Sequence, residues 1–380
     1  MGFKQKLSLV TCWLVPLSCM MMASTSALAD TNTTVKETVN VSGKWLRHEN
    51  GNVIKDPQTS GLVIWRDQLL TLSDRSALLK HQRALHRIEK HSARVGASAM
   101  PMRLSVELEA SCFAKYLSNT PDLEALVVDP ANDKVFYTVT EDASYDPLTP
   151  ACAKQWLGSG STAFPTLLVR MELNEDYQLT LTHARPLQYK PEFAVGNFPN
   201  DGIEGLAFAK NRWLYLALEK DKKKYPRIFR LKMDADFWKV PSFIAVEDPE
   251  LLLPKGDVGA FPLNGMDYYP SKKGGHGGYL IAAARNNDQL WIIDLNKQRP
   301  TKMIDMSYWV NTADASCSAM ETIPFTAIEG VAVDGERLWL INDPWKAHYL
   351  ENIQCKSNAQ HFRDMAPLLF SLPIDKGWFQ

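Results

Sequence analysis

The chain has 380 residues, 45% hydrophobic and 22% charged, with a formal net charge of −1. That length supports a large core. The near-neutral balance gives no basic face and no recognised binding motif accompanies it, so nucleic acid is excluded as a partner.

Met1–Ala29 reads as a secretory signal. Lys4 and Lys6 form a basic start, Leu7–Met22 is mostly apolar, and Ala27-Leu28-Ala29 is an A-x-A cleavage site before Asp30. Cys19 raises a lipoprotein alternative, but Pro16-Leu17-Ser18 is a poor context for lipid attachment. No later stretch is long and apolar enough to span a membrane. The expectation is one exported domain over residues 30–380, periplasmic or secreted, cut after Ala29. Cys112, Cys152, Cys317 and Cys355 remain in it, an even count that suggests two disulfides in an exported protein.

Val35–Leu46 carries a strand within the polar segment Asp30–Gly51. Ser60–Asp74 then reads as a β-hairpin, followed by strands at Ala84–Ile88 and Arg103–Leu108. A helix over Ser76–Lys90 competes with this, because Leu78, Leu85 and Ile88 roughly share a helical face. Glu124–Glu141 is a second hairpin, with strands at Thr166–Leu173 and Tyr177–Ala184 beyond the loop Asp142–Pro165. The clearest hairpin is Asp201–Asp221: apolar Leu206–Phe208, a turn at Lys210–Asn211, and apolar, aromatic-rich Trp213–Leu218. Arg227–Met233 and Ser242–Val246 complete that unit. Asn264–Arg285 opens the next, with Leu290–Leu295 and Thr301–Met306, and Glu329–Asp343 opens the last, which ends with Leu368–Leu372.

The hairpins recur at steps of about sixty residues, the period of a four-stranded propeller blade with generous loops. The expectation is an all-β propeller of five blades, the strand in Val35–Leu46 supplying the fourth strand that the last blade lacks. A sixth, divergent blade near Cys112 or within Glu175–Asn200 is the alternative. Each cysteine pair brackets a hairpin, so Cys112–Cys152 and Cys317–Cys355 are the expected bridges, stapling the loops of one face.

Aligned hairpins give two rings of polar residues. The first, where each inner strand starts, is Ser60, Glu124, Glu204, Asn264 and Glu329; the second, where its partner ends, is Asp74, Glu141, Glu219, Arg285 and Asp343. Antiparallel pairing brings the rings together at one channel mouth. Crowded carboxylates repel unless something cationic sits among them. Arg285 is one such partner, and a metal is the other; oxygen-only ligands favour Ca²⁺ or Mg²⁺ over zinc. The competing, architectural reading is that each Glu caps a neighbouring blade's backbone or pairs with Arg285 and Arg75. His348 is a further acid or base candidate, against the plainer reading of a solvated loop histidine. His276 in GGHGG reads as turn, and Lys220 with Lys222–Lys224 as a solvated charge run. No nucleophile elbow and no Gly-rich phosphate loop is present.

SGLVIWRDQLLTLSDRS, DLEALVVDPANDKVFYTVTED, DGIEGLAFAKNRWLYLALEKD and IEGVAVDGERLWLINDPW resemble the blade pattern of the phytase-like family, also described as the esterase-like activity of phytase family. The similarity spans roughly residues 59–375. It implies an exported β-propeller with phosphoesterase or esterase activity. More distantly, the hairpins are similar to calcium-dependent propeller lactonases, whose channel-facing Glu, Asn and Asp hold the metal. The chain departs from that pattern at Ser60, which replaces an acid, and at Arg285, which opposes the charge and suits an anionic substrate.

The expected function is therefore metal-assisted hydrolysis of a phosphoester, carboxylic ester or lactone. Glu124, Glu204, Asn264 and Glu329 would hold the cation, Ca²⁺ first; Arg285 would bind the anionic part; Glu219, Asp343 or His348 would act as base. The alternative is a non-catalytic propeller whose stapled face binds a periplasmic protein or a glycan through aromatics such as Tyr145, Trp156, Trp309, Trp345 and Tyr349. A purely structural propeller would leave the rings as internal salt bridges.

Overall fold

The computed structural model describes residues 38–141, 146–161, 164–196, 202–254, 262–271 and 277–380, which lie in one compact unit. The expected signal segment, Tyr145, Asp201 and His276 lie outside the described residues.

Strand β1 is Val39–Trp45. The first group of strands is β2 (Thr59–Trp65), β3 (Gln68–Ser73), β4 (Ala84–Glu89), β5 (Arg94–Val95) and β6 (Met100–Leu104). The second is β7 (Leu123–Asp129), β8 (Asn132–Thr140), β9 (Leu167–Leu173) and β10 (Leu179–Gln188). The third is β11 (Ile203–Ala209), β12 (Trp213–Leu218) and β13 (Arg227–Lys232); the short β14 (Ile244–Ala245), in the segment expected to complete this unit, pairs parallel with β10 of the second group and reaches β13 only through the bridge Arg230–Glu247. β15 (Leu263–Pro270), β16 (Gly278–Ala284), β17 (Gln289–Asp294) and β18 (Lys302–Asn311) make the fourth, with β19 (Met320–Thr322) paired to β18. β20 (Ile328–Asp334), β21 (Arg337–Asn342) and β22 (Leu368–Pro373) make the fifth.

Each group opens on an antiparallel hairpin, and the first strands β2, β7, β11, β15 and β20 each touch the next, β20 returning to β2. That closed ring of radiating antiparallel sheets is a β-propeller. Its first strands are buried on both faces because each is wedged between two neighbours. The core accordingly divides into apolar clusters that lie between consecutive groups rather than within them. Ala207, Tyr215 and Ala217 of the third group meet Met266, Leu280 and Trp291 of the fourth, and Leu62 and Leu69 of the first meet Trp339 and Ile341 of the fifth.

β1 returns to close the last group, as the sequence implied. It pairs antiparallel with β22, Gly43 facing Phe370, and parallel with β18 on its other edge, Val39 facing Met306. Cys112–Cys152 and Cys317–Cys355 are bonded, with Cα separations of 5.6 and 6.1 Å.

Two sequence expectations are corrected. The helix considered over Ser76–Lys90 is absent: Ala84–Glu89 is strand, pairing with β3 as Leu69 to Ile88. Leu85 and Ile88 are both fully buried because they point to opposite faces, Leu85 toward the second group and Ile88 toward the fifth. A helix could not divide them so. The strand expected over Arg103–Leu108 ends at Leu104, where the Ser105 hydroxyl accepts from the Leu108 N–H at 3.2 Å and caps the short helix Val106–Glu109.

Candidate functional site

Each hairpin slips register where its first strand starts. Pairing passes from Ile203–Leu218 to Gly205–Ala217, from Leu263–Ala284 to Gly265–Ala283, and from Ile328–Asn342 to Gly330–Ile341. Glu204, Asn264 and Glu329 are the extra residues of these bulges, Ser60 lies in the corresponding slip of β2, and Glu124, still paired with Val139, stands at the edge of the slip in β7. A bulge turns a side chain out of the alternation of its strand, which accounts for acids in otherwise apolar strands.

A repeated backbone bond joins the two rings. The N–H of Asp74 donates to Gln58, of Glu141 to Asp122, of Glu219 to Gly202, of Arg285 to Pro262 and of Asp343 to Ala327, at 2.8 to 3.2 Å. Both rings therefore share one end of the channel.

A cavity of about 370 Å³ opens there. Seven carboxyl side chains line it: Asp74, Asp122, Glu124, Glu141, Glu204, Glu329 and Asp343. Its cations are Arg75, Arg285 and Lys346, and Trp345 forms part of the wall. Part of this charge is spent on the frame, as the architectural reading expects. Arg285 Nη1 donates to Glu329 Oε1, Arg75 Nε lies 3.3 Å from Asp122 Oδ2, and Glu141 Oε1 accepts from the Gly202 N–H at 2.8 Å. Ser60 Oγ donates to Glu124. Lys346 Nζ bridges Asp56 at 3.2 Å and the Ser76 carbonyl at 2.5 Å.

Even so, the acids are under-compensated. Burial, then the neighbouring Asp122, pushes Asp74 up to about 6. Burial, relieved by Arg285, leaves Glu329 at about 7. Burial lifts Glu141 to about 8, the hydrogen bond from Glu204 holding it down and Asp122 raising it further. Glu124, Glu204 and Asp343 are pushed well above the carboxylate range, first by burial and then by neighbouring acids: Asp122 and Glu141 beside Glu124, Glu141 and Glu124 beside Glu204, and Glu329 and Asp74 beside Asp343. Burial works against the charge of Arg285, yet Glu329 and Asp343 hold it protonated.

Asp122, Glu124 and Glu141 each place a carboxylate oxygen within 4.8 Å of the others. Three hard oxygens at that spacing suit Ca²⁺ or Mg²⁺. Glu204 joins them through its hydrogen bond to Glu141, whereas Glu329 is engaged by Arg285. Asn264 is buried with neither amide atom partnered, as is Asp343 Oδ1.

Other expected participants lie apart. Glu219 is buried with Lys220 Nζ at 3.3 Å, outside the cavity lining. His348 also lies outside it, its Nδ1 2.6 Å from Glu351 Oε1 and its ring stacked on Phe325. Tyr349, expected as an exposed aromatic, is fully buried and donates to the Ala366 carbonyl at 2.6 Å. Trp156 packs on Phe113 and Phe243, and Trp309 donates to Asn40. Asp122 and Lys346 were not singled out by sequence. Asp122 occupies a position shared with Gln58, Gly202, Pro262 and Ala327, a set with no common side-chain character.

No protein family's sequence profile matches the chain, and no curated protein matches it. Among solved structures it is similar to the PQQ-bound aldose sugar dehydrogenase of Streptomyces coelicolor, with 12% identity and a TM-score of 0.39 over 87% of this chain and 98% of that one. A streptogramin B lyase gives 10% identity and 0.34 over 77% and 78%. An auxiliary nutrient binding protein of Bacteroides thetaiotaomicron gives 9% identity and 0.40 over 83% and 69%. At these values the likeness carries no argument about chemistry, and the fold stands on the strand pairing alone.

Proposed function

We propose that this protein is an exported, five-bladed propeller hydrolase that holds a divalent cation, Ca²⁺ first, and cleaves a small phosphoester, carboxylic ester or lactone at the channel mouth. The observation that carries the reading is seven carboxyl groups against three cationic side chains around a cavity of about 370 Å³. An excess of buried acids is stabilised by a bound cation. The phytase-like resemblance of the hairpins supports the choice of reaction.

Asp122, Glu124 and Glu141 are the ligands best gathered for the cation, with Glu204 behind Glu141. A cation there would polarise the substrate oxygen and make water a better nucleophile. Asp343 lines the same cavity with Oδ1 unpartnered, and its raised proton affinity suits a general base. Arg285 faces the anionic part of the substrate, and Trp345 limits the cavity on that side.

A second reading, a non-catalytic binding propeller, is favoured by the acids already committed to Arg285, Arg75 and the Gly202 backbone.

The test is thermal unfolding after chelation, then with Ca²⁺, Mg²⁺ or Mn²⁺ restored, followed by aryl phosphate, aryl acetate and lactone substrates. An ion that binds only the folded state raises the melting temperature. A rise with one ion, lost in Glu124→Gln with Glu141→Gln, together with hydrolysis of one probe, is expected. No response to any ion sinks the metal mechanism. Binding without turnover of any probe selects the second reading.

A further inference from the structure

One face of the fifth group carries a set of residues fixed by register. Lys44 of β1 faces Leu369, Ser371 faces Trp339, and Arg337 lies two residues from Trp339. Opposed residues of antiparallel strands project from the same side, so all five share one face. Trp339 and Leu369 turn that face toward the first group, where they pack with Leu69 and Ile88. A cavity of about 200 Å³ lies against it, bounded on the other side by Lys90 and His91 in the turn after β4. No residue lines both this cavity and the channel mouth.

Among the described residues no carboxylate lines the cavity. Lys44 Nζ donates to the His91 carbonyl at 2.7 Å, and Arg337 Nη1 donates to Ser371 Oγ at 3.3 Å. A carbonyl and a hydroxyl orient these cations without cancelling their charge. The acids of the adjoining turns are engaged elsewhere. Asp334 neutralises Lys90 at 2.7 Å, Glu89 accepts from the His91 and Ser92 N–H groups at 2.9 and 2.6 Å, and Glu336 lies 3.8 Å from Lys376 Nζ. Lys44, His91 and Arg337 are exposed, so a solute reaches them directly.

Ser371 Oγ accepts from Arg337, which leaves its own O–H to donate. An ammonium, a guanidinium and a hydroxyl from three adjacent strands suit the tetrahedral oxygens of a phosphate better than the flat pair of a carboxylate. We propose that this cleft between the fifth and first blades is a phosphate-binding site, with Lys44, Arg337 and Ser371 as its donors. It rests on nothing in the hydrolase reading. Because Lys44 belongs to the closing strand β1 and Lys90 and His91 to the first blade, a phosphate held there also fastens that closure.

The experiment acetylates the lysines of wild-type protein with and without sodium phosphate at constant ionic strength, and reads each site by mass spectrometry. Phosphate should protect Lys44 and leave Lys115, whose side chain is 72% exposed, as reactive as before. Sodium acetate in place of phosphate should protect neither. Calorimetry adds the affinity: Lys44→Gln with Arg337→Gln removes both uncancelled charges and should weaken phosphate binding about tenfold or more. Near-ultraviolet circular dichroism checks the fold of that variant, and the labelling of wild-type protein decides the matter if it is not folded. Vesicles of phosphatidylcholine with phosphatidic acid, set against phosphatidylcholine alone, separate two sources of the group. Sedimentation with the former that the double variant loses assigns a lipid headgroup, and protection by phosphate without sedimentation assigns the free ion or a small phosphoester. Equal protection of Lys44 and Lys115, or equal protection by acetate, is general screening and overturns the site. So does phosphate binding that the folded double variant retains.

Discussion

The carboxyl groups of Glu204 and Glu141 are hydrogen-bonded to each other, and Glu141 also accepts from the Gly202 N–H at 2.8 Å. The two acids come from neighbouring blades, and their pairing requires that they hold a proton between them. The mouth is therefore assembled around protons as much as around cations.

A pH dependence follows. Glu141 at about 8 and Glu329 at about 7 hold protons in the folded state that the unfolded chain, titrating near 4.5, has released. Raised carboxyl values mean that stability falls as pH climbs through this range. His81 acts oppositely: burial first, then His86, lowers it to about 4, so its contribution grows as pH rises to 6.5. Above 6.5 the carboxyls act unopposed. Chelated protein should melt several degrees lower at pH 8 than at pH 6.5, and Glu204→Gln, which keeps the donor but cannot ionise, should flatten the slope. A level or rising curve in wild-type protein contradicts this account.

Arg285→Gln should be costly. It leaves Glu329, whose side chain is 6% exposed, beside other acids without its cation. Breaking a buried pair on one side costs about 3–5 kcal/mol. Urea unfolding at pH 8 and pH 5.5 checks the cause, since protonation of Glu329 at the lower pH should recover much of the loss.

Cation affinity should separate the acids. Asp122→Asn and Glu124→Gln each remove a charged oxygen from the tight trio and should weaken Ca²⁺ binding about tenfold or more. Glu329→Gln should change it by less than about threefold, because Arg285 already engages that carboxylate. Isothermal titration gives the order; a Glu329→Gln effect as large as the others would move the ion away from the trio and toward Glu329.

Gly265 marks a close approach of two inner strands. A Cβ there would lie 2.5 Å from the Glu329 carbonyl oxygen, a backbone atom that cannot turn aside. Gly265→Ala should cost about 1–3 kcal/mol. Gly96→Ala meets nothing nearer than 3.8 Å and should be neutral or slightly stabilising, by up to about 1 kcal/mol. Parallel chemical denaturation of the two variants makes the comparison.

The hairpins were legible because an inner strand wedged between sheets must be apolar on both faces and end in a turn, as Leu206–Phe208 and Trp213–Leu218 do. The two rings were legible because they repeat. Asp122 was not, because the bond that recurs at its position in every group uses only the backbone carbonyl, and any residue supplies that. Nor was the fate of Tyr349: its loop reads as polar, yet helix Lys356–Arg363 folds over it and sets Phe362 against its ring. Distances such as these arise from tertiary packing that no local pattern records.

The return of β1 to the last sheet makes the two ends of the chain a single clasp. A ribosome delivers β1 before β22, so the clasp cannot fasten until every strand between them has been made, and closing so long a loop comes late in folding. Because β1 and β22 run antiparallel, tension between the segments before Val39 and after Pro373 would peel their backbone bonds in turn, from Gly43–Phe370 to Trp45–Leu368, as a hairpin opens. A chain shorn of Val39–Trp45 would bare the edges of both β18 and β22, two unfilled templates onto which the same segment of another molecule could pair.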